Sequence, residues 1–286
     1  MENILEIQNL NKHYPSFTLQ DVSFAVPNGS IVGFIGENGA GKTTTIKLIL
    51  NEIKRDSGNI RIFGMDNIQD EQKIKEQIGV VFDESYFHGE FKAGNIASIL
   101  KKIFRSWDDS LFEQYLRQFK LPKDKIIKEY SKGMKMKLAI ASALAHRPRL
   151  LILDEATSGL DPIMRSDILD LLLDFMQDET HGILFSSHIT SDLEKIADYI
   201  TFIHEGQIVF NRSKDDLIYR CGLLKCGAAD FSRINKEDLV RWRKNECGYE
   251  ALVLDKEAAK RSYPNFLIDN ATVDEIMLLY VKGEKQ

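Results

Sequence analysis

The apolar positions of the chain fall into three successive regimes. In the first, short β-rich runs are separated by Gly, Pro and Asn turn signals. Residues 4–9 alternate, and residues 17–26 continue to the turn Pro27-Asn28-Gly29. Residues 31–35 form an unbroken apolar run, and residues 59–63 follow a turn at Ser57-Gly58. Residues 78–82 read as a buried strand, residues 44–53 as a helix and residues 71–77 as a short polar helix. The second regime, from Glu84 to about His146, has helical spacing. Its apolar positions are Ile96, Ile99, Leu100 and Ile103, then Leu111, Tyr115, Leu116 and Phe119. A helix beginning near Ser131 carries Leu138, Ala141, Leu144 and Ala145 on one face.

The third regime restores parallel-sheet character. Residues 150–153 are continuously apolar, and Asp161-Pro162 starts a helix reaching about Gln177. Residues 182–186 predict a strand, 190–197 a helix, and 199–204 with 207–210 a hairpin through Glu205-Gly206. Beyond about Lys214 the pattern weakens. Residues 235–243, 250–254 and 272–281 suggest a small α/β appendage. No internal repeat interrupts this order.

Composition narrows the picture. The 286 residues suffice for one large domain and a small one. With 43% hydrophobic and 28% charged residues the chain has ordinary globular composition. A net charge of −5 argues against nucleic acid as a partner. No apolar run reaches the ~18–20 residues that span a bilayer. The N-terminal residues carry acid and no basic segment, so no signal peptide is expected. Cys221, Cys226 and Cys247 lack zinc spacing and are expected to be reduced thiols.

The chemistry is concentrated at Gly36-Glu37-Asn38-Gly39-Ala40-Gly41-Lys42-Thr43, which fits G-x-x-x-x-G-K-[ST]. A β-branched run feeds into it and a helical pattern leaves it, as a phosphate-binding loop requires. Gly36, Gly39 and Gly41 let backbone N–H groups approach phosphate oxygens, and the following helix turns its positive end to the same anion. Lys42 can reach β- and γ-phosphates, and the Thr43 hydroxyl suits Mg2+. This stretch predicts binding of a nucleoside triphosphate.

Two further stretches fit that chemistry. Residues 150–153 deliver Asp154 and Glu155 at the carboxyl end of an apolar strand, where open α/β sheets place their ligands. Asp154 is placed to hold Mg2+, directly or through water. Glu155 is placed to deprotonate the water attacking the γ-phosphate. Tyr130-Ser131-Lys132-Gly133-Met134 puts Ser and Gly at a helix start, a second anion site. One triphosphate rarely needs two such sites in one chain, so this one is expected to close over the nucleotide of a second subunit.

The order of these motifs, followed by Ser158-Gly159-Leu160-Asp161 and Ser186-Ser187-His188, resembles the ATP-binding subunit of an ABC transporter over about residues 1–215. The resemblance implies an α/β P-loop NTPase fold of the ABC type. It would comprise an antiparallel β subdomain, a helical subdomain at about 84–148, and residues 216–286 as a C-terminal accessory region. It implies ATP and Mg2+ as ligands, with Gly36, Asn38, Gly39, Gly41, Lys42, Thr43 and Thr44 on the nucleotide. Tyr14 would stack on adenine, Ser131 and Gly133 would contact the partner's γ-phosphate, and Glu155 and His188 would be catalytic. Residues 158–161 would cross the dimer interface. The metal would fall to Thr43, Asp154 and, at the position where the family usually has Gln, Asp83.

The chain departs from the family pattern in three places. Tyr-Ser-Lys-Gly-Met replaces the usual Leu-Ser-Gly-Gly-Gln, Asp83 replaces Gln, and Ala156 replaces Pro. The first two resemble the ABC-2-type exporter group, whose ATPase and membrane subunits are separate chains. The resemblance thus implies an ATP hydrolase on the cytoplasmic face of the cell membrane. It would pair with a second ATPase, as homodimer or heterodimer, and with an integral membrane permease exporting a drug, peptide or lipid-like cargo. The segment bearing Tyr86, Phe87 and Phe91 would receive a permease helix, although those aromatics equally suit a core. A soluble non-transport ABC ATPase and a P-loop small-molecule kinase are the rival readings. The first tends to carry two cassettes or long inserts, and the second has no need of Ser131-Gly133.

Overall fold

The protein is described here from a computed structural model covering residues 2–83, 87–246 and 248–285. Tyr86 and Cys247 lie outside the described residues. Strands β1 (Asn3–Tyr14), β2 (Phe17–Pro27), β4 (Ser57–Ile62) and β5 (Met65–Asp66) form an antiparallel sheet in the order β2-β1-β4-β5. Between them run β3 (Ser30–Ile35) and α1 (Lys42–Ile49). Next come α2 (Glu71–Lys75), β6 (Ile78–Phe82) and three helices, α3 (Ala93–Ile103), α4 (Asp109–Gln118) and α5 (Lys132–Leu144). The chain continues through β7 (Leu150–Asp154), α6 (Pro162–Phe175), β8 (Gly182–Ser187), α7 (Thr190–Ile196), β9 (Tyr199–His204) and β10 (Gln207–Ser213). The central six-stranded sheet has the order β10-β9-β3-β8-β7-β6, parallel except for the terminal hairpin β9–β10.

The unbroken apolar runs are explained by what each strand meets on its two faces. Ile31, Ile35, Leu151, Leu153, Ile183 and Phe185 enter one core with α5, α6 and α7. Their neighbours Val32, Phe34, Leu150, Ile152 and Leu184 enter a second core with α1 and the antiparallel sheet. A strand covered on both sides has apolar residues along its middle, with polar ones such as Asp154 and Ser186 at its carboxyl end. The helical segment has a core of its own, built on Ile96, Phe112, Leu116, Tyr130 and Leu138.

Several predicted boundaries shift for physical reasons. The first helix ends at Ile49, not residue 53, because Asn51 adopts a left-handed backbone at φ 55°. The turn expected at Ser57-Gly58 is the start of β4. There Gly58 lies so close to β1 that a Cβ would stand 2.3 Å from the Asn9 carbonyl oxygen. Strand β1 continues past its predicted end through an irregular register around Asn9. Of the four apolar positions with helical spacing in α3, Ile96 is buried, but Ile99 and Ile103 are 42% and 60% exposed.

After β10 come β11 (Gly222–Cys226), α8 (Ala228–Phe231), β12 (Arg241–Asn245), β13 (Gly248–Val253), α9 (Lys256–Ser262), β14 (Leu267–Asn270) and α10 (Val273–Lys282). The antiparallel sheet β12-β13-β11-β14 has one face with its own core around Leu224, Trp242 and Ala251. The other face, through Leu223 and Leu252 with Val273, Ile276 and Leu279 of α10, merges with the core beneath the central sheet. Tyr280 packs against Phe202 and Phe210, and Glu194 of α7 accepts the Val273 N–H at 2.8 Å.

Candidate active site

The phosphate-loop residues sit where β3 gives way to α1. Gly41 caps the helix at φ 114°, and a Cβ there would meet Leu19 and Phe17 at 2.8 and 2.9 Å. Gly36 is fixed by proximity, since a Cβ would stand 2.5 Å from the carbonyl oxygen of Ile203. The loop walls a cavity of about 460 Å3, lined by Asn38, Gly39, Gly41, Lys42, Thr43, Thr44, Glu155, Glu37, Ser16 and Phe17. The Lys42 ammonium, 6% exposed, donates to the Gly36 and Glu37 carbonyls at 2.7 and 3.2 Å. It also lies 3.3 Å from Glu155 Oε1. A cation, loop amides and a helix start therefore face one space, a fit for a polyanion.

Parallel register brings the acids to the same edge. Asp154 is level with Phe82 on one neighbour and Ser186 on the other. Asp154 Oδ2 accepts from the Thr43 hydroxyl at 2.8 Å, while Oδ1 is buried without a hydrogen-bond partner. Burial pushes the Asp154 carboxyl above its ordinary pKa, opposed by the Thr43 hydrogen bond. A hard oxygen pair with an unsatisfied buried oxygen suits Mg2+. Glu155 adopts φ 55°, a left-handed conformation rare for a non-glycine residue, and its N–H donates to Ser186 O at 2.9 Å. That turn lifts the carboxylate out of the strand toward Lys42 and His188. His188 Nδ1 lies 2.5 Å from Glu155 Oε2, and its backbone N–H donates to the same oxygen at 3.3 Å. With Nδ1 carrying the shared proton, Nε2 is directed elsewhere.

Seven of the sequence-derived site residues do not line this cavity: Gly36, Asp154 and His188, which hydrogen-bond to the lining residues Lys42, Thr43 and Glu155, as well as Tyr14, Asp83, Ser131 and Gly133. Tyr14 ends β1 and is register partner to Phe17, which does line it. The exposed Ser131 caps α5, its hydroxyl accepting the Met134 N–H at 3.2 Å. Gly133 is buried under Met164 of α6, whose Cε would stand 2.4 Å from an added Cβ. Tyr130 is core, its hydroxyl donating to Pro122 O at 2.6 Å. Asp83 Oδ1 pairs with Lys132 Nζ at 3.0 Å.

One pair was not found from the sequence. Asp192, 1% exposed, receives Arg165 through two of its guanidinium nitrogens, Nε at 3.2 Å and an Nη at 2.5 Å. Arg165 lies one turn after Asp161, and Asp192 one turn after His188, so the pair ties α6 to α7 behind both loops. Only the equal four-residue offsets hinted at it. A second cavity, about 420 Å3, opens between β6 and the helical segment. Its walls are mostly apolar, from Val80, Phe82, Phe87, Leu100, Ile103 and Phe104, with His146 at the base. Phe91 packs instead into the helical core.

A phosphate loop, paired acids and a histidine at the carboxyl edge of a parallel sheet define a P-loop nucleoside triphosphatase. The sequence pattern of ABC transporters matches residues 19–158. The bacitracin transport ATP-binding protein BcrA of Enterococcus faecalis is 36% identical over 212 residues, covering 73% of this chain and 69% of that protein. The lantibiotic transport ATP-binding protein SrtF of Streptococcus pyogenes is 34% identical over 215 residues, covering 74% and 92%. A solved ATP-binding subunit of an ABC transporter superimposes with a TM-score of 0.69 at 28% identity, covering 75% of this chain and 91% of that one. The chain belongs to the ABC transporter family as an ATP-binding subunit, and its reaction is ATP hydrolysis.

Proposed function

We propose that this chain drives an exporter by clamping ATP between two copies of itself. The observation that carries the reading is the separation of two anion-binding elements. The loop at Lys42 lines a cavity with Glu155, whereas Ser131, at an exposed helix start, is not part of that cavity's wall. Two copies arranged head to tail would bring each Ser131 and Gly133 to the other's γ-phosphate. Closure then depends on that phosphate, through charge-assisted hydrogen bonds of ~1.5–3 kcal/mol each.

In the closed state Lys42 binds the β- and γ-phosphates and Tyr14 stacks on adenine. Glu155 takes a proton from the attacking water, and His188 holds that carboxylate through Nδ1 while Nε2 faces the γ-phosphate. Thr43 and Asp154 would hold Mg2+, which would supply neutralisation of phosphate charge. Loss of phosphate removes the reason for closure, and the copies separate.

The apolar cleft beside α3 is the surface we assign to a helix of the membrane permease, which would hold the chain at the membrane. Residues 1–215 are the motor in this reading and residues 216–286 its accessory region. The bacitracin and lantibiotic transport relatives support an exporter carrying a drug, peptide or lipid-like cargo. The test is Glu155→Gln with saturating ATP and Mg2+ on a light-scattering column. The expected species is a dimer; a monomer would overturn the clamp.

A further inference from the structure

The signature and the end of β6 each depart from the family pattern by one charged residue, Lys132 and Asp83, and the fold brings the two departures together. Lys132 Nζ is 3.0 Å from Asp83 Oδ1. The same ammonium would stand 3.1 Å from a Cβ on Gly159. It therefore sits where three segments meet: the end of β6, the start of α5 and the loop at residues 158–161. Both side chains are about half exposed, 50% and 46%, while the Asp83 Oδ1 atom itself is buried and makes no hydrogen bond among the described residues. Such pairs add only ~0–1 kcal/mol to stability, so holding the fold is not what this one is suited to. It is suited to deciding where a long, flexible cation points.

Lys132 also follows Ser131 directly. In the dimer reading above, on which this inference rests, Ser131 receives the partner's terminal phosphate. That anion would come within one residue of an ammonium engaged, among the described residues, by one carboxylate, and a phosphate competes strongly for lysine. We propose that Lys132 is a nucleotide-responsive residue: Asp83 holds it in the separated chain, and it transfers to the partner's γ-phosphate on closure. Asp83 then opposes closure, and Lys132 favours it. Asp83 directly follows Phe82, which lines the apolar cleft, so the transfer takes place at that cleft's edge.

Opposite signs make the idea testable. The full chain carrying Glu155→Gln is titrated with ATP in Mg2+, and the ATP concentration at half-maximal dimerisation is read by light scattering. Lys132→Gln is expected to raise it about two- to fivefold, and Asp83→Asn to lower it by a similar factor. The double variant is expected to match Lys132→Gln alone, and the gain from Asp83→Asn to shrink at high salt. Single variants shifting in the same direction would make the pair a plain structural tie and overturn the proposal. So would an Asp83→Asn effect that persists beside Lys132→Gln, since Asp83 would then act on something else. Ser131→Ala, measured alongside, separates the two layers. If it raises the midpoint while Lys132→Gln does not, the Lys132 assignment alone fails; if it does nothing, the dimer reading fails first.

Discussion

Two glycines of the site show how differently a missing side chain can be used. At Gly36 a Cβ would strike backbone, the Ile203 carbonyl at 2.5 Å; at Gly133 it would strike the flexible end of Met164. Gly36→Ala is therefore expected to lose about 1–3 kcal/mol in urea unfolding. Gly133→Ala should lose well under ~1 kcal/mol, because Met164 can swing aside. Equal losses would contradict this assignment of cause. His146 makes a second residue-scale case. It is 2% exposed, contacts Ile78 O through Nε2 at 3.0 Å and stacks on Phe104 at 4.0 Å. Burial holds its pKa below the ordinary histidine value, outweighing the neighbouring Ile78 and Ser142 carbonyls. The unfolded chain therefore takes up the proton first. The stabilising effect is complete above about pH 6.5 and is lost as pH falls through that value toward the depressed one. His146→Gln should flatten the difference between urea midpoints measured at pH 7.5 and 5.5.

Among elements, the tie between α6 and α7 is the most exacting. Arg165 and Asp192 fix two helices whose first turns lead back to Asp161 and His188, so loosening them displaces the histidine rather than the nucleotide. Asp192→Asn is expected to lower kcat by about 10- to 100-fold while KM for ATP stays near wild type. Arg165→Lys should not restore it, because a point charge cannot make the two-pronged contact. Steady-state kinetics decides. This pair also marks the limit of what could be read from residues in order. The phosphate loop, the acids, Ser131 and Asp161 as helix caps, and β6, β7 and β8 were legible because each is a local pattern with a local cause. The Arg165–Asp192 contact is not local, and neither is the strand order that sets Asp154 beside Ser186. The exposure of Ile99 and Ile103 could not be read from their helical spacing for a related reason. Periodicity reports an apolar face, and Ile103, at the end of that face, lines the cleft and stays 60% exposed.

For the molecule as a whole, that cleft and the C-terminal region carry separate expectations. Placing a charge in the cleft mouth with Ile103→Glu should abolish recovery of the membrane permease on detergent pull-down; undiminished recovery would remove the cleft from the docking surface. Leu279 is 1% exposed within the core shared by α10 and the central sheet. Leu279→Ala is expected to cost about 2–5 kcal/mol in the unfolding of the entire chain, in one transition. An early, separate transition would mean that the accessory region stands alone. The bond from Val273 to Glu194 spans 79 positions of sequence. At ~5–20 residues per second, a ribosome delivers α10 roughly 4–16 s after α7. Throughout that interval the part of the core beneath the central sheet that Ile276 and Leu279 of α10 later fill is bare apolar surface. Newborn chains of this protein are thus expected to need shelter by a chaperone until the last helix arrives.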